Sequence, residues 1–108
     1  MEQRGVTIEE IDIGNGDEIL RGDRIRVCYD LFLRRGDAVE TGVEVAFKVG
    51  ERRIIAGLEY GVVGMRVGGV RRITVPPHLG YGEAGIGETI PPNALLVFIV
   101  HVLERKAV

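Results

Sequence analysis

Residues 80–100, GYGEAGIGETIPPNALLVFIV, are the stretch that decides the fold. Tyr81 stands between two glycines, a glycine-rich loop follows, and Pro91-Pro92 stiffen its return into the apolar run 94–100. That order describes a loop folded over an apolar cavity, with the Tyr81 hydroxyl as one polar group at its rim. A ligand suited to such a cavity is apolar and carries a carbonyl.

Outward from that stretch, the strongest periodicity lies in residues 24–33. Ile25, Val27, Tyr29, Leu31 and Leu33 alternate there with Arg24, Arg26, Cys28, Asp30 and Phe32, which predicts a half-buried strand with Tyr29 facing inward. Arg35-Gly36-Asp37 is turn chemistry, and a short strand over 38–41 completes a hairpin. A separate short strand is expected over 45–49, ended by Gly50. Ile54, Ile55, Leu58, Val62 and Met65 fit one face of a short helix. Gly57, Gly61 and Gly64 each cost about 1 kcal/mol there relative to alanine, so packing across a sheet must hold it. Residues 70–75 form a strand with Arg71, Ile73 and Val75 on one face, stopped by Pro76-Pro77. Residues 95–103 are apolar on both faces except at His101, which predicts a central strand with Leu96, Phe98, Val100 and Val102 toward the helix. Strands separated by turns, with one helix, give an α+β class: an antiparallel sheet wrapped on a short helix.

The chain has 108 residues, 45% hydrophobic and 28% charged, enough for one compact domain, and residues 1–108 read as that single domain. A net charge of −2 gives no general attraction for nucleic acid or anionic membranes. The doublets Arg34-Arg35, Arg52-Arg53 and Arg71-Arg72 read as solvated faces. Cys28 is the single cysteine, and the N-terminal residues lack the apolar core of a signal peptide. The run 94–100 is too short to span a bilayer. A cytoplasmic protein is expected. His78 and His101 stand apart from any cysteine or carboxylate pair at ligand spacing, so neither a metal nor another cofactor is expected. Val97 and Ile99 lie opposite Phe98. Either the N-terminal segment covers them, or they pair two copies; a monomer is the expectation and a dimer the alternative.

Four segments taken in order carry a family resemblance: Gly14-Asn15-Gly16 followed by Gly22-Asp23 and the Tyr29 strand; Arg35-Gly36-Asp37; IIAGLEYGVVGM at 54–65; and residues 80–100. Together they resemble the FKBP-type peptidyl-prolyl cis-trans isomerases over essentially the whole chain. The resemblance implies a curved five- or six-stranded antiparallel sheet around one helix, with a shallow apolar pocket that takes a prolyl ring. It assigns Tyr29 and Phe98 to the pocket walls and the Ile55 backbone N–H, after Ile54, to a substrate carbonyl. The Tyr81 hydroxyl goes to a second carbonyl contact, and Phe47 and Ile90 to apolar lining. Glu40 stands where the family has an aspartate beside the tyrosine of the first long strand. Other departures are Leu58 for the floor tryptophan, Val39 and Val45 for aromatic walls, and Ile86 and Thr89 at the rim. The segment between Glu40 and Val45 is also about four residues short, which is expected to remove much of a bulged edge strand.

The implied partners are proline-containing peptides or unfolded protein segments, with macrolide ligands bound weakly at best. The implied activity is rotation of X-Pro bonds, which needs no nucleophile, acid, base or metal. The alternative is a binding or chaperone module with the same fold and little turnover.

Overall fold

The computed structural model describes residues 1–107 and contains six strands and one α-helix. The strands are β1 (Glu2–Gln3), β2 (Val6–Asp12), β3 (Arg24–Leu33), β4 (Ala38–Lys48), β5 (Val70–Val75) and β6 (Leu96–Lys106), and the helix α1 is Ala56–Val62. They form one antiparallel sheet in the order β1-β2-β5-β6-β3-β4. The α+β class is therefore as expected, with β6 between β3 and β5 near the middle of the sheet. Leu96, Phe98, Val100 and Val102 of β6 are buried, in one cluster with Val27 and Leu31 of β3, Ile73 and Val75 of β5, and Leu58 and Val62 of α1.

Three expectations about the strands need correction. The short strands over 38–41 and 45–49 are one strand, β4. The pairing of Tyr29 with Val43 and of Leu31 with Glu40 leaves one extra residue on β4, a bulge. Gly42 takes φ +62° there, and its N–H donates to Asp30 Oδ1 at 2.7 Å, so the chain turns out of register without ending the strand. The edge strand and a bulge thus survive the shorter 40–45 segment. The N-terminal segment, in turn, does not cover Val97 and Ile99: it adds β1 and β2 to the sheet edge beside β5. Its alternation is clear at Val6 and Ile8, both buried, and then breaks at a register shift between Glu10 and Asp12 that leaves Ile11 exposed.

Arg71 is the third correction, since it is only 3% exposed and not part of a solvated face. It points inward beside Ile73 and Val75 and meets Glu10, its register partner on β2. Its Nη1 also donates to Gly61 O at 2.7 Å and Val63 O at 3.0 Å, the free carbonyls at the end of α1. Gln3 Nε2 donates to Tyr60 O and Val63 O. Side chains from β1 and β5 therefore close a seven-residue helix that is too short to hold itself.

The helix glycines have a packing reason. A Cβ on Gly57 would lie 2.3 Å from Val75 Cγ1, and one on Gly61 would lie 2.6 Å from Ile73 Cδ1. Both face β5, and their hydrogens let the helix backbone approach the sheet more closely than any side chain would permit.

At the start of β3, Asp23 is buried and accepts from Leu20 N–H at 2.8 Å and Arg105 Nε at 2.6 Å. The Arg105 hydrogen bond first, then the Leu20 N–H, holds its carboxyl below the usual range despite burial. The unfolded chain therefore binds this proton more readily than the folded one. Stability from the pair is complete above the unfolded carboxyl value of about 3.9 and is lost as pH falls through the lower folded value. Asp23→Asn should lower the melting temperature at neutral pH and flatten its fall below about pH 4. Parallel acid limbs in thermal melts of the two proteins would remove Asp23 from acid unfolding.

Candidate functional site

An apolar cleft of about 380 Å³ lies between the β3–β4–β6 half of the sheet and the N-terminal end of α1. Tyr29 and Phe98, from neighbouring strands β3 and β6, form one wall with ring centroids 5.4 Å apart at 65°, an edge-to-face pair. Leu58 of α1 lies beneath, Ile54 and Ile55 border the entry to the helix, Val45 comes from β4, and Tyr81 reaches in from the 76–95 loop.

Local sequence explains how Ile55 and Tyr81 are presented. Ile55 precedes the first helical residue in extended conformation (φ −60°, ψ 144°), and its carbonyl accepts from the amides of Leu58 and Glu59. Its own N–H, one of the free donors at a helix start, has no acceptor among the described residues. The cleft thus has an unengaged backbone donor beside apolar walls. Tyr81 follows a 3-10 turn at Pro77–Leu79, and its carbonyl accepts from Gly85 N–H. Gly85 has φ +62°, and a Cβ there would lie 2.2 Å from Ile90 O, so only glycine lets the loop fold back. Paired hydrogen bonds between Ile86 and Ile90 close the loop, and Asn93 N–H ties its return to Gly82 O.

The two phenols share one electrostatic setting. Tyr29 Oη donates to Glu40 Oε1 at 3.3 Å. Burial first, then the Glu40 carboxylate, pushes the Tyr29 hydroxyl up to about 12. Burial and Glu40 push Tyr81 in the same direction. Both hydroxyls are therefore neutral hydrogen-bond donors at physiological pH, with no charge to attract water into the cleft.

Of the residues that the sequence singled out, Tyr29, Val45, Ile54, Ile55, Leu58, Tyr81 and Phe98 meet in this cleft. Glu40 is not among the lining residues; it hydrogen-bonds the Tyr29 hydroxyl and acts on Tyr81 through its charge. Phe47 and Ile90 are buried in the core instead of lining the cleft, Val39 is half-buried against that core, and Ile86 is 45% exposed. Phe47 follows the inward alternation of β4 and pairs with Ile25, so it belongs beneath the sheet. Arg53, not anticipated, borders the cleft just before Ile54 and pairs with Glu51 at 3.3 Å. Its signal was a basic residue at the mouth of an apolar site, obscured by reading Arg52-Arg53 as a solvated doublet. Among the described residues, no group of three or more His, Cys, Asp or Glu side chains is placed to hold a metal ion.

Comparison with known proteins agrees with this architecture. The family model described as FKBP-type peptidyl-prolyl cis-trans isomerase matches residues 16–103. The chain is 42% identical over 106 residues to FK506-binding protein 4 of Gibberella zeae, covering 95% of this chain and 21% of that protein. It is 37% identical to the 46 kDa FK506-binding nuclear protein of Spodoptera frugiperda, over 94% of this chain and 26% of that protein. It is 38% identical to the chloroplastic peptidyl-prolyl cis-trans isomerase FKBP16-4 of Arabidopsis thaliana, over 94% of this chain and 49% of that protein. The chain thus spans between about a fifth and a half of the length of these curated relatives. With the sheet order, the cleft and the match over residues 16–103 all in agreement, the chain belongs to the FKBP-type peptidyl-prolyl cis-trans isomerase family.

Proposed function

We propose that this protein accelerates cis-trans rotation of X-Pro bonds in peptides or unfolded segments, with the prolyl ring seated between Tyr29, Leu58 and Phe98. The observation that carries this reading is an apolar cleft with an unengaged Ile55 N–H at its edge. The barrier to rotation, about 20 kcal/mol, comes largely from lost amide resonance as the bond twists. Water hydrogen-bonds the planar, more polar amide better than the twisted one, so moving the bond into an apolar cleft lowers the barrier. The requirement is tighter binding of the twisted bond than of the planar one. A thousandfold acceleration needs only about 4 kcal/mol, within reach of desolvation and one or two placed donors.

In this reading Ile55 N–H and Tyr81 Oη donate to the carbonyls flanking the proline. Glu40 holds the Tyr29 ring in place through its hydroxyl. Val45 leaves one side of the cleft low, which supports a proposal of weak binding to large macrolides. Residues 1–108 act as one domain and a monomer. A cytoplasmic setting is proposed on the free, half-buried Cys28 thiol, which suits a reducing compartment; a fluorescent fusion confined to another compartment would correct it.

The test is isomerisation of a short proline peptide by purified protein, followed without a coupling protease. Wild type should accelerate it. Tyr81→Phe should lose about tenfold in kcat/KM, the worth of one hydrogen bond of about 1.4 kcal/mol. No acceleration by wild type, with the peptide still bound, would leave a binding module in place of an enzyme. Full activity in Tyr81→Phe would remove that hydroxyl from the mechanism.

A further inference from the structure

A second cleft, of about 240 Å³, opens on the other side of α1 from the prolyl site. Ala56, Glu59, Tyr60 and Val63 line it from one face of the helix, at spacings of three, one and three, whereas Leu58 points to the prolyl side. The other walls bring three arginines from three different segments: Arg4 after β1, Arg21 before β3, and Arg52 after β4.

Each arginine is placed by a specific contact. Arg4 Cζ lies 4.4 Å from the centroid of the Tyr60 ring, and the neighbouring Gln3 side chain ties this turn to Tyr60 O and Val63 O. Arg21 lies across Gly50, where a Cβ would meet its Nε at 3.1 Å. Arg52 donates its backbone N–H to Glu59 Oε1 at 3.0 Å. Only three non-glycine residues among those described have positive φ, and two are Arg4 (51°) and Arg52 (61°). Holding two arginines of one cleft in this conformation costs free energy, and the third such residue, Asn93, is of a type that adopts it more readily.

The charge in the cleft is unbalanced. None of the ion pairs or side-chain hydrogen bonds among the described residues uses the guanidinium of Arg4, Arg21 or Arg52. The one carboxylate present, Glu59, is 4% exposed and is turned to the Arg52 backbone. Three exposed arginines and one buried carboxylate line this cleft in a protein whose net charge is −2. A cleft lined by one sign of charge concentrates its field, and guanidinium forks match the paired oxygens of an oxyanion.

We infer that this cleft binds a phosphoryl group, held by Arg4, Arg21 and Arg52, as free phosphate or as a phosphorylated side chain. Arg52 is two residues from Ile54 and three from Ile55 of the prolyl site, so the bound group anchors the segment between the two clefts.

The test reads binding alone and is independent of isomerase activity. Inorganic pyrophosphate, and separately a phosphoserine peptide, are titrated into 15N-labelled full chain at constant ionic strength set with sodium chloride. Saturable amide shifts centred on Gly50, Arg52, Glu59 and Tyr60 are expected. Saturation by both ligands identifies a site for the free group, and saturation by the peptide alone identifies a phosphorylated side chain as the source. The double variant Arg4→Gln/Arg52→Gln should weaken binding at least tenfold at an unchanged melting temperature. Shifts no larger than those from chloride, or spread over Arg24, Arg66 and Arg72, would overturn the assignment, as would unchanged affinity in a folded double variant. Should that variant not fold, the wild-type shift map decides by itself.

Discussion

Replacing Arg71 with alanine should destabilise the protein by about 3 kcal/mol and lower its melting temperature by about 15 °C. The Gly61 carbonyl would be left buried without a donor, at about 1–3 kcal/mol. Val63 O keeps Gln3, and Glu10 is 39% exposed on its side chain, so that carboxylate regains water. These two facts put the expected cost at the lower end of the range for breaking a buried pair. Arg71→Met retains the apolar stem, and the difference between the two variants measures the polar contacts. Hydrogen exchange should rise most in α1, whose C-terminal carbonyls lose their cap. A loss below about 1 kcal/mol in urea titration, with α1 exchange unchanged, would show that the buried guanidinium is dispensable.

Gly57→Ala should also destabilise, by about 2 kcal/mol, although helix propensity alone predicts a gain of about 1 kcal/mol. The added carbon would lie 2.3 Å from Val75 Cγ1 and 2.8 Å from Cγ2, and Val75 is fully buried on a strand that cannot easily yield. Overpacking of that kind costs about 1–3 kcal/mol, and here it outweighs the propensity term. The companion variant Gly57→Ala/Val75→Ala removes the opposing methyls. Its loss should be smaller than the sum of the single losses by about 1 kcal/mol or more. Additive losses would mean that the glycine is not there to admit the valine.

Much of the fold was legible because the core-facing strands obey simple alternation. β3 runs over the expected residues 24–33 without adjustment, and β6 is the interior strand that its apolar run predicts, paired with β3 on one edge and β5 on the other. What escaped depends on long-range partners. Gly42 reads locally as a breaker, but Asp30 on the next strand makes it a bulge within β4. Arg71 reads as a surface charge, but a register partner 61 residues away and the end of a helix take it inward. β2 was missed because the shift after Glu10 turns a regular alternation out of phase. In the cleft, strand and helix parity predicts that Tyr29, Leu58 and Phe98 face inward, and the family resemblance makes them its walls and floor. The resemblance places Phe47 and Ile90 there as well, but both are buried in the core, since an apolar residue near a cavity carries no local mark that separates lining from core.

The place of β6 has a further consequence for how the chain assembles itself. Among the described residues it is the last strand to be synthesised, yet β3 and β5 are joined in the sheet only through it. A nascent chain lacking residues 96–106 can therefore hold only two separate ribbons, β1-β2-β5 and β3-β4, with the edges that β6 will occupy still unpaired. The segment that walls the cleft with Phe98 is also the one that completes the sheet, so the prolyl cleft stays incomplete until β6 has paired with both ribbons.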